Sequence, residues 1–273
     1  MGRSKLQQQG AGNRSEAFKQ LDEDFAFKLA CNDKDRHRVY RLRYKVYCQE
    51  IGYSPPNDDD RALELDAYDT NALHCLLEHR ASGIAAGCFR LVLPASDDEH
   101  ATIKLPLQEY GGRSLTHSSL HPDRLPIREI CEISRFATAR EFRNRPINHE
   151  TLNGNNLAYE FSPEERRIFP LLTIALFLAT HSLVDLVGRR HIFAMMASRL
   201  PRLLAMSGFR FTRVGDSIEL HGRRHAFYID NHLAQSNMNR ELAEPYQRIR
   251  RQLAPQLPLA LADRGIMGLV ELP

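Results

Sequence analysis

Phe25, Phe27 and Leu29 alternate with Ala26, Lys28 and Ala30, a period of two that predicts a first strand. Asp33 then caps a helix over residues 34–51. There Val39, Leu42, Val46 and Cys48, with Tyr40, Tyr44 and Tyr47 beside them, recur near the helical period until Gly52 stops the run. Residues 54–69 read as a loop, with Pro55, Pro56 and six acids against Arg61 alone. Two apolar runs follow, 72–78 and 84–93, joined by a polar turn ending in Gly83, which predicts a hairpin closed by Pro94. Residues 95–127 are polar and irregular apart from a short helix near 105–110, and mark the expected place of an insertion.

Order returns at Arg128. The stretch REICEISRFAT, residues 128–138, alternates imperfectly, which predicts a central strand with an irregularity near Ser134. Ser162-Pro163-Glu164-Glu165 is a capping box with Pro at the first helical position, and it opens an apolar helix to Val187. Thr173, Thr180, His181, Ser182 and Asp185 make that helix too polar to span a membrane, so it is expected in the core. A strand over 191–197, a short helix over 198–207 closed by Gly208, and short strands over 209–214, 217–221 and 226–229 complete the pattern. Residues 1–22 show no apolar period and read as a flexible leader. Residues 23–232 form the expected domain, and 233–273 a peripheral amphipathic helix with a Pro-rich tail.

Length and composition narrow the class. The 273 residues suffice for a buried core without disulfide or metal staples, and 42% hydrophobic with 26% charged residues is ordinary globular composition. Lys and Arg number 37 against 34 Asp and Glu, and a net charge of +3 does not call for nucleic acid. The five cysteines are odd in number and never spaced as C-x-x-C, so they read as buried apolar residues in a reducing compartment. No signal-peptide core stands at the N-terminus, and the expected location is the cytoplasm. The twelve histidines are scattered without H-E-x-x-H, so no metal is expected.

Five short signals stand in order: Arg43-x-x-x-Tyr47; Asp66-Ala67-Tyr68-Asp69; Gly87-Cys88-Phe89-Arg90-Leu91; Glu132-Ile133-Ser134-Arg135-Phe136; and Met195-Met196 before Leu200-Pro201-Arg202-Leu203-Leu204. As an ordered set they resemble the acyl-homoserine-lactone synthases. The stretch 193–229, with MM, RLPRLL, GFRF and HGRRHAFYI, looks like the N-acyl amino acid synthases and the acyltransferases associated with PEP-CTERM/exosortase systems. The match runs over residues 25–230. The resemblance implies a GNAT-type α/β fold, a mixed and mostly antiparallel sheet flanked by helices. It also implies transfer of a long acyl chain from an acyl carrier protein thioester to the amine of an amino acid.

The residues themselves agree in outline. An amine must lose a proton before it attacks a thioester, so a carboxylate with a raised pKa is the natural base, and Glu132 on the central strand is the candidate. An irregular backbone over Ser134, Arg135 and Phe136 can present N–H groups to the oxyanion. Asp66 and Asp69 can hold the acceptor's ammonium or order their loop. Arg43, Arg90 and Arg135 can hold its carboxylate or pair with these acids, and the whole set can equally be a structural ion-pair network. No His and Asp stand at triad spacing to make Ser134 a nucleophile.

For the donor, the stretch after the central strand, RFATAREFRNRP, lacks the glycine-rich turn with which acetyl-CoA-using members of the fold bind pyrophosphate. It carries Arg140, Arg143 and Arg145 instead. Residues 186–213 hold six arginines, Arg199 and Arg202 among them, and a basic face suits an acidic carrier protein. No bound cofactor is expected; the acyl carrier protein thioester, or acyl-CoA, is a co-substrate. Peripheral membrane contact through a lipid product is compatible with this picture. The chain has no Trp where the lactone synthases usually carry one after the first helix, Tyr53 standing in that neighbourhood, and its segment between Arg90 and Glu132 is longer than theirs. Both features favour an amino acid over S-adenosylmethionine as acceptor. Lactone synthesis is the runner-up, and a non-catalytic module that binds acyl chains or carrier protein is the alternative of another class.

Overall fold

The computed structural model describes residues 14–52, 61–97, 100–143 and 159–270. Strands β1 (Phe25–Leu29), β2 (Ala72–His79), β3 (Ala85–Val92), β6 (Ile130–Thr138), β7 (His191–Met196), β8 (Thr212–Arg213), β9 (Ile218–Glu219) and β10 (Arg223–Asp230) form one sheet. Its order is β1-β2-β3-β6-β7-β10-β8, with β9 also on β10. Every pairing is antiparallel except that of β6 with β7. The strands β4 (Ala95–Asp97) and β5 (His100–Ile103) make a separate small hairpin. The fold is therefore the mixed α/β sheet that the sequence predicts.

Helix α2 (Asp33–Arg43) packs on one face of β2 and β3, and continues as a π-helix over Tyr44–Glu50. Its cap is Asn32, whose side chain accepts from the Asp35 backbone, rather than the expected Asp33. Helix α3 (Pro106–Gly111) lies on the same face of the sheet, because the backbone N–H of its Leu107 bonds Glu132 of β6. The apolar segment is broken into α4 (Pro163–Ile168), a 3-10 turn at Phe169–Leu171 and α5 (Leu172–Leu186). Pro170 has no N–H to continue one helix, which corrects the single run predicted to Val187. Ser162 and Glu165 form the expected capping box. Helix α5 covers the opposite face so closely that a Cβ on Gly87 of β3 would come within 2.5 Å of Leu176. The span Pro163–Leu186 is long and apolar enough to cross a membrane by length and composition, and 78% of its most apolar window is buried inside the protein.

Two terminal expectations are corrected. Residues 14–24, assigned by sequence to a leader ending at 22, form helix α1 with Phe18 and Leu21 in the core. The C-terminal part is neither peripheral nor a tail. Helices α7 (Asn231–Asn237), α8 (Ala243–Leu253) and α9 (Leu257–Arg264) follow β10, and Tyr246, Ile249, Leu253, Leu257 and Leu261 join the main core. Pro255 and Pro258 begin helical turns, where a missing N–H costs nothing. Gln252 and Gln256 reach the free edge of β1: Phe27 N donates to Gln252 Oε1 at 3.1 Å, Leu29 N donates to Gln256 Oε1 at 2.8 Å, and Gln256 Nε2 donates to Phe27 O at 3.0 Å. All five cysteines are free thiols, four of them buried. The strands expected over 209–214 and 217–221 are reduced to β8 and β9, while α6 (Arg199–Ala205) forms as predicted.

Candidate active site

The site grows out of one defect in the sheet. β6 and β7 are paired only over Ile130–His191, Cys131–Ile192 and Glu132–Phe193, and beyond Glu132 the two parallel strands separate. On its other side, β6 slips against β3 between the pairs Cys88–Ala137 and Arg90–Ser134, which places one extra residue on β6. Arg135 takes up that residue with φ of 51°, in the left-handed region. The predicted irregularity near Ser134 is this bulge.

A cavity of about 410 Å³ opens in the gap. Strand alternation divides its wall between the two faces of the sheet. On the α2 and α3 face lie Tyr47, Glu64, Leu107, Tyr110, Glu132 and Met195; on the α5 face lie Phe177, His181, Ile192, Ala194, Phe211 and Ile229. Tyr47 comes from the π-helical turn, a departure from α-geometry that recurs at functional sites. Its hydroxyl donates to the Phe136 carbonyl at 3.0 Å, tying α2 to the bulge.

Glu132 is 2% exposed and sits where the strands part. Burial pushes its pKa up to about 8 against the opposing pull of the Leu107 N–H, Arg90 and Arg135. Leu107 N donates to Glu132 Oε2 at 2.8 Å, which aims the carboxyl. Between its ordinary value of 4.5 and about 8, the folded protein holds a proton here that the unfolded chain has lost, so this group makes stability fall as pH rises through that window. Glu132→Gln removes the penalty. The variant should gain melting temperature over the wild type at pH 8 and little at pH 4.5, and an equal shift at both pH values would contradict a buried neutral carboxyl.

Behind Glu132 three arginines and three acids form a closed set. Arg43 is fully buried; its Nε bonds Glu64 at 2.5 Å, and Nη1 and Nη2 bond the two oxygens of Asp69 at 2.7 and 3.1 Å. Arg90 Nη1 reaches Asp66 at 2.5 Å and Asp69 at 2.8 Å, while its Nε bonds Ser134 Oγ at 3.0 Å. Arg135 bonds Glu64 and Asp66, both at 2.9 Å. Burial alone would raise the pKa of Asp69, but Arg43 and Arg90 outweigh it and hold the carboxyl well below the usual range. Burial pushes neighbouring His74 down to about 3, so it stays neutral beside these arginines. Asp66 and Asp69 also cap each other's backbone around Tyr68.

The sequence candidates thus separate. Glu132, Ser134, Arg135 and Phe136 line the cavity, whereas Arg43, Asp66, Asp69 and Arg90 stand behind its wall as the ion-pair network and position Arg135. Ser134 is the acceptor that seats Arg90. Glu64 and Tyr110 were not singled out by sequence, and Tyr47 stood in the Arg43-x-x-x-Tyr47 signal without a role assigned to it. Glu64 stood among six acids of one loop, and only the fold shows that it bridges Arg43 and Arg135.

The basic face is smaller than expected. Arg140, Arg199 and Arg202 are exposed, and Arg143 pairs with Glu50. Two of the six arginines over 186–213 have structural roles: Arg189 is buried on the Ile127 and Leu269 carbonyls, and Arg190 pairs with Asp230. Arg145 and Tyr53 lie outside the described residues.

Residues 42–152 match the acetyltransferase (GNAT) domain family. No curated protein matches the chain significantly. Among solved structures, TofI in a ternary complex with an inhibitor and MTA is similar with a TM-score of 0.54 at 19% identity, over 81% of this chain and 96% of that one. A CoA-dependent acyl-homoserine lactone synthase, BjaI, with SAM and isopentyl-CoA, gives a TM-score of 0.54 at 16% identity, over 83% of this chain and 89% of that one. FeeM, an N-acyl amino acid synthase from uncultured soil microbes, gives 0.49 at 11% identity, over 78% of this chain and 94% of that one. The sheet, its split and its flanking helices are the GNAT fold.

Proposed function

We propose that this GNAT-type acyltransferase moves a long acyl chain from an acyl carrier protein thioester to the amine of an amino acid, with Glu132 as the base. The observation that carries the reading is a buried carboxyl, Glu132, with its pKa pushed up to about 8, in the wall of a cavity lined on its α5 face mostly by apolar side chains. Ionised Glu132 takes a proton from the acceptor's ammonium, directly or through water. The freed nitrogen attacks the thioester carbon, and backbone N–H groups at the Ser134, Arg135 and Phe136 bulge are the proposed donors to the oxyanion. Collapse breaks the C–S bond. Glu132 returns that first proton to the departing sulfur, which leaves as the carrier's thiol, and then takes the nitrogen's remaining excess proton and passes it to solvent. The products are an N-acyl amino acid and free carrier. The α5-face pouch, with Phe177, Phe211 and Ile229, suits the acyl chain.

Arg199 and Arg202 lie on α6 either side of Leu200, which lines the cavity, so a carrier docked on them would have its arm at the mouth. Arg140 extends this proposed face beyond the end of β6. Reversing Arg199 and Arg202 to Glu should raise the KM for acyl carrier protein several-fold and leave a small acyl thioester unaffected. Salt should act in the same direction, because such charges are screened beyond about 8–10 Å at physiological ionic strength. Equal losses with both donors would remove these arginines from docking. The reaction belongs where acyl carrier protein is, in the cytoplasm, and the PEP-CTERM/exosortase association rests on residues 193–229 alone.

Expression in a bacterial host, lipid extraction and mass spectrometry test the whole reading by reporting head group and chain length together. N-acyl amino acids are the expected product. Acyl-homoserine lactones in the extract would establish the lactone synthase instead, and binding of acyl carrier protein without turnover on any acceptor would establish a non-catalytic module.

A further inference from the structure

An amino acid acceptor brings a side chain as well as an amine. Glu132 meets the amine, so the side chain has to lie on the face of the sheet that carries Glu132, across from the acyl pouch. The long segment between Arg90 and Glu132 builds the wall there. Leu107 N bonds Glu132 Oε2 at 2.8 Å, and Tyr110 follows three residues later in α3, so both side chains leave the helix on one side. Both line the cavity together with Pro106. On β7, Phe193 pairs with Glu132, and Met195 leaves the sheet on the same face, two residues or about 7 Å beyond the point where the strands part. Ile51, at the end of the π-helical turn, completes this wall.

The charged side chains that the described residues place around the cavity, Glu132 apart, are engaged. Arg135 bonds Glu64 and Asp66. Arg224 of β10 donates to the carbonyls of Leu220 at 3.3 Å and His221 at 3.5 Å in the β9–β10 turn. The wall is also stiff. Besides the bond of Leu107 to Glu132, the Tyr68 hydroxyl donates to Glu109, and Gln108 Nε2 donates to Asp123 at 2.5 Å. Beyond the helix, Asp216 N donates to Ser114 O at 2.7 Å, and a Cβ on Gly215 would come equally close to that carbonyl. A Cβ on Gly111 would stand 3.3 Å from Met195 Cε, so α3 and β7 already touch. A close-packed wall that yields little measures the size of what it receives.

We propose that the acceptor is an amino acid with a bulky apolar side chain, which lies between Tyr110 and Met195 while Glu132 receives its amine. This inference rests on the acyltransferase reading above. A charged or amide side chain would lose water there and gain no partner among the described residues, while glycine would leave the ring and the thioether uncovered. Tyr110 supplies the larger contact, and the unbranched, polarizable Met195 adapts to the shape of the guest.

The test measures kcat/KM for each of the twenty amino acids with one acyl carrier protein thioester, for the wild type, Tyr110→Ala and Tyr110→Phe. Tyr110 is 46% exposed, so its truncation should leave the fold intact. In the wild type, leucine, isoleucine, methionine and phenylalanine should exceed glycine, aspartate and lysine by about 10- to 100-fold, the discrimination that a hydrophobic pocket achieves. Tyr110→Ala should cost the best of them about tenfold and glycine less than about threefold, and Tyr110→Phe, which keeps the ring, should recover most of the loss. The KM for the acyl donor should stay put. A wild type that prefers charged or small amino acids would overturn the assignment. So would a Tyr110→Ala penalty equal for all acceptors, which marks a structural role. A loss in Tyr110→Phe as large as in Tyr110→Ala would also overturn it, since the hydroxyl would then be bonding a polar side chain. A wild type that acylates no amino acid would sink the acyltransferase reading itself, an outcome distinct from the others.

Discussion

Glu132→Gln should keep the fold and lower turnover by about 10²–10⁴, the usual contribution of a general base. The carboxamide preserves shape and can still accept from the Leu107 N–H, so binding and packing survive while the proton acceptor is lost. The wild-type rate carries a second signature. With the carboxyl's pKa near 8, only a minority of molecules hold the ionised base at pH 7. The rate should climb about tenfold per pH unit below that point and level above it, whereas the residual rate of Glu132→Gln should lack the step. Unchanged turnover would take Glu132 out of the mechanism, and a step that survives in the variant would assign the titration to another group.

The second large effect concerns stability. Arg43→Met should cost about 3–5 kcal/mol, because it leaves Glu64 and Asp69 buried without the cation that both of them bond. The loss depends on pH with a definite sign. Asp69 is held below its ordinary value of 3.8 in the folded protein, so the stability it supplies is present above that value and disappears as pH falls through the lowered one. The deficit of Arg43→Met, measured by denaturant unfolding, should therefore be greatest near neutrality and shrink toward pH 3. A further Asp69→Leu change should recover part of it, since an apolar pair of similar volume is tolerated where a lone charge is not. A deficit that does not vary with pH would mean that Arg43 matters only for its packing.

Much of this was legible in the chain. The hairpin of β2 and β3, the central strand and the Ser162 capping box follow from local periods and caps, and local signals survive folding. The bulge was legible for a related reason, since the alternation of REICEISRFAT breaks where Arg135 adopts positive φ. Glu132 stood out by its position on that strand. The misses share a cause. Phe18 and Leu21 are two apolar residues in a polar stretch, and only the surface they pack on makes them core. Pro255 and Pro258 read as a tail because a proline that breaks one helix and a proline that begins another look alike in one dimension. The arginines divided by depth: Arg43 and Arg90 are fully buried, while Arg224 of HGRRH reaches the cavity only through its place two strands from Glu132.

The glutamines along β1 have a meaning beyond packing. A sheet ends in a row of unpaired amide groups that another chain can continue, and β1 is such an end. Gln252 and Gln256 impersonate the missing neighbour with side-chain amides, which satisfy the edge but offer no new backbone edge behind them. The C-terminal segment is in this sense a terminator. It occupies the edge at which a strand of another copy would otherwise add, so its sequence bears on assembly as well as on the fold.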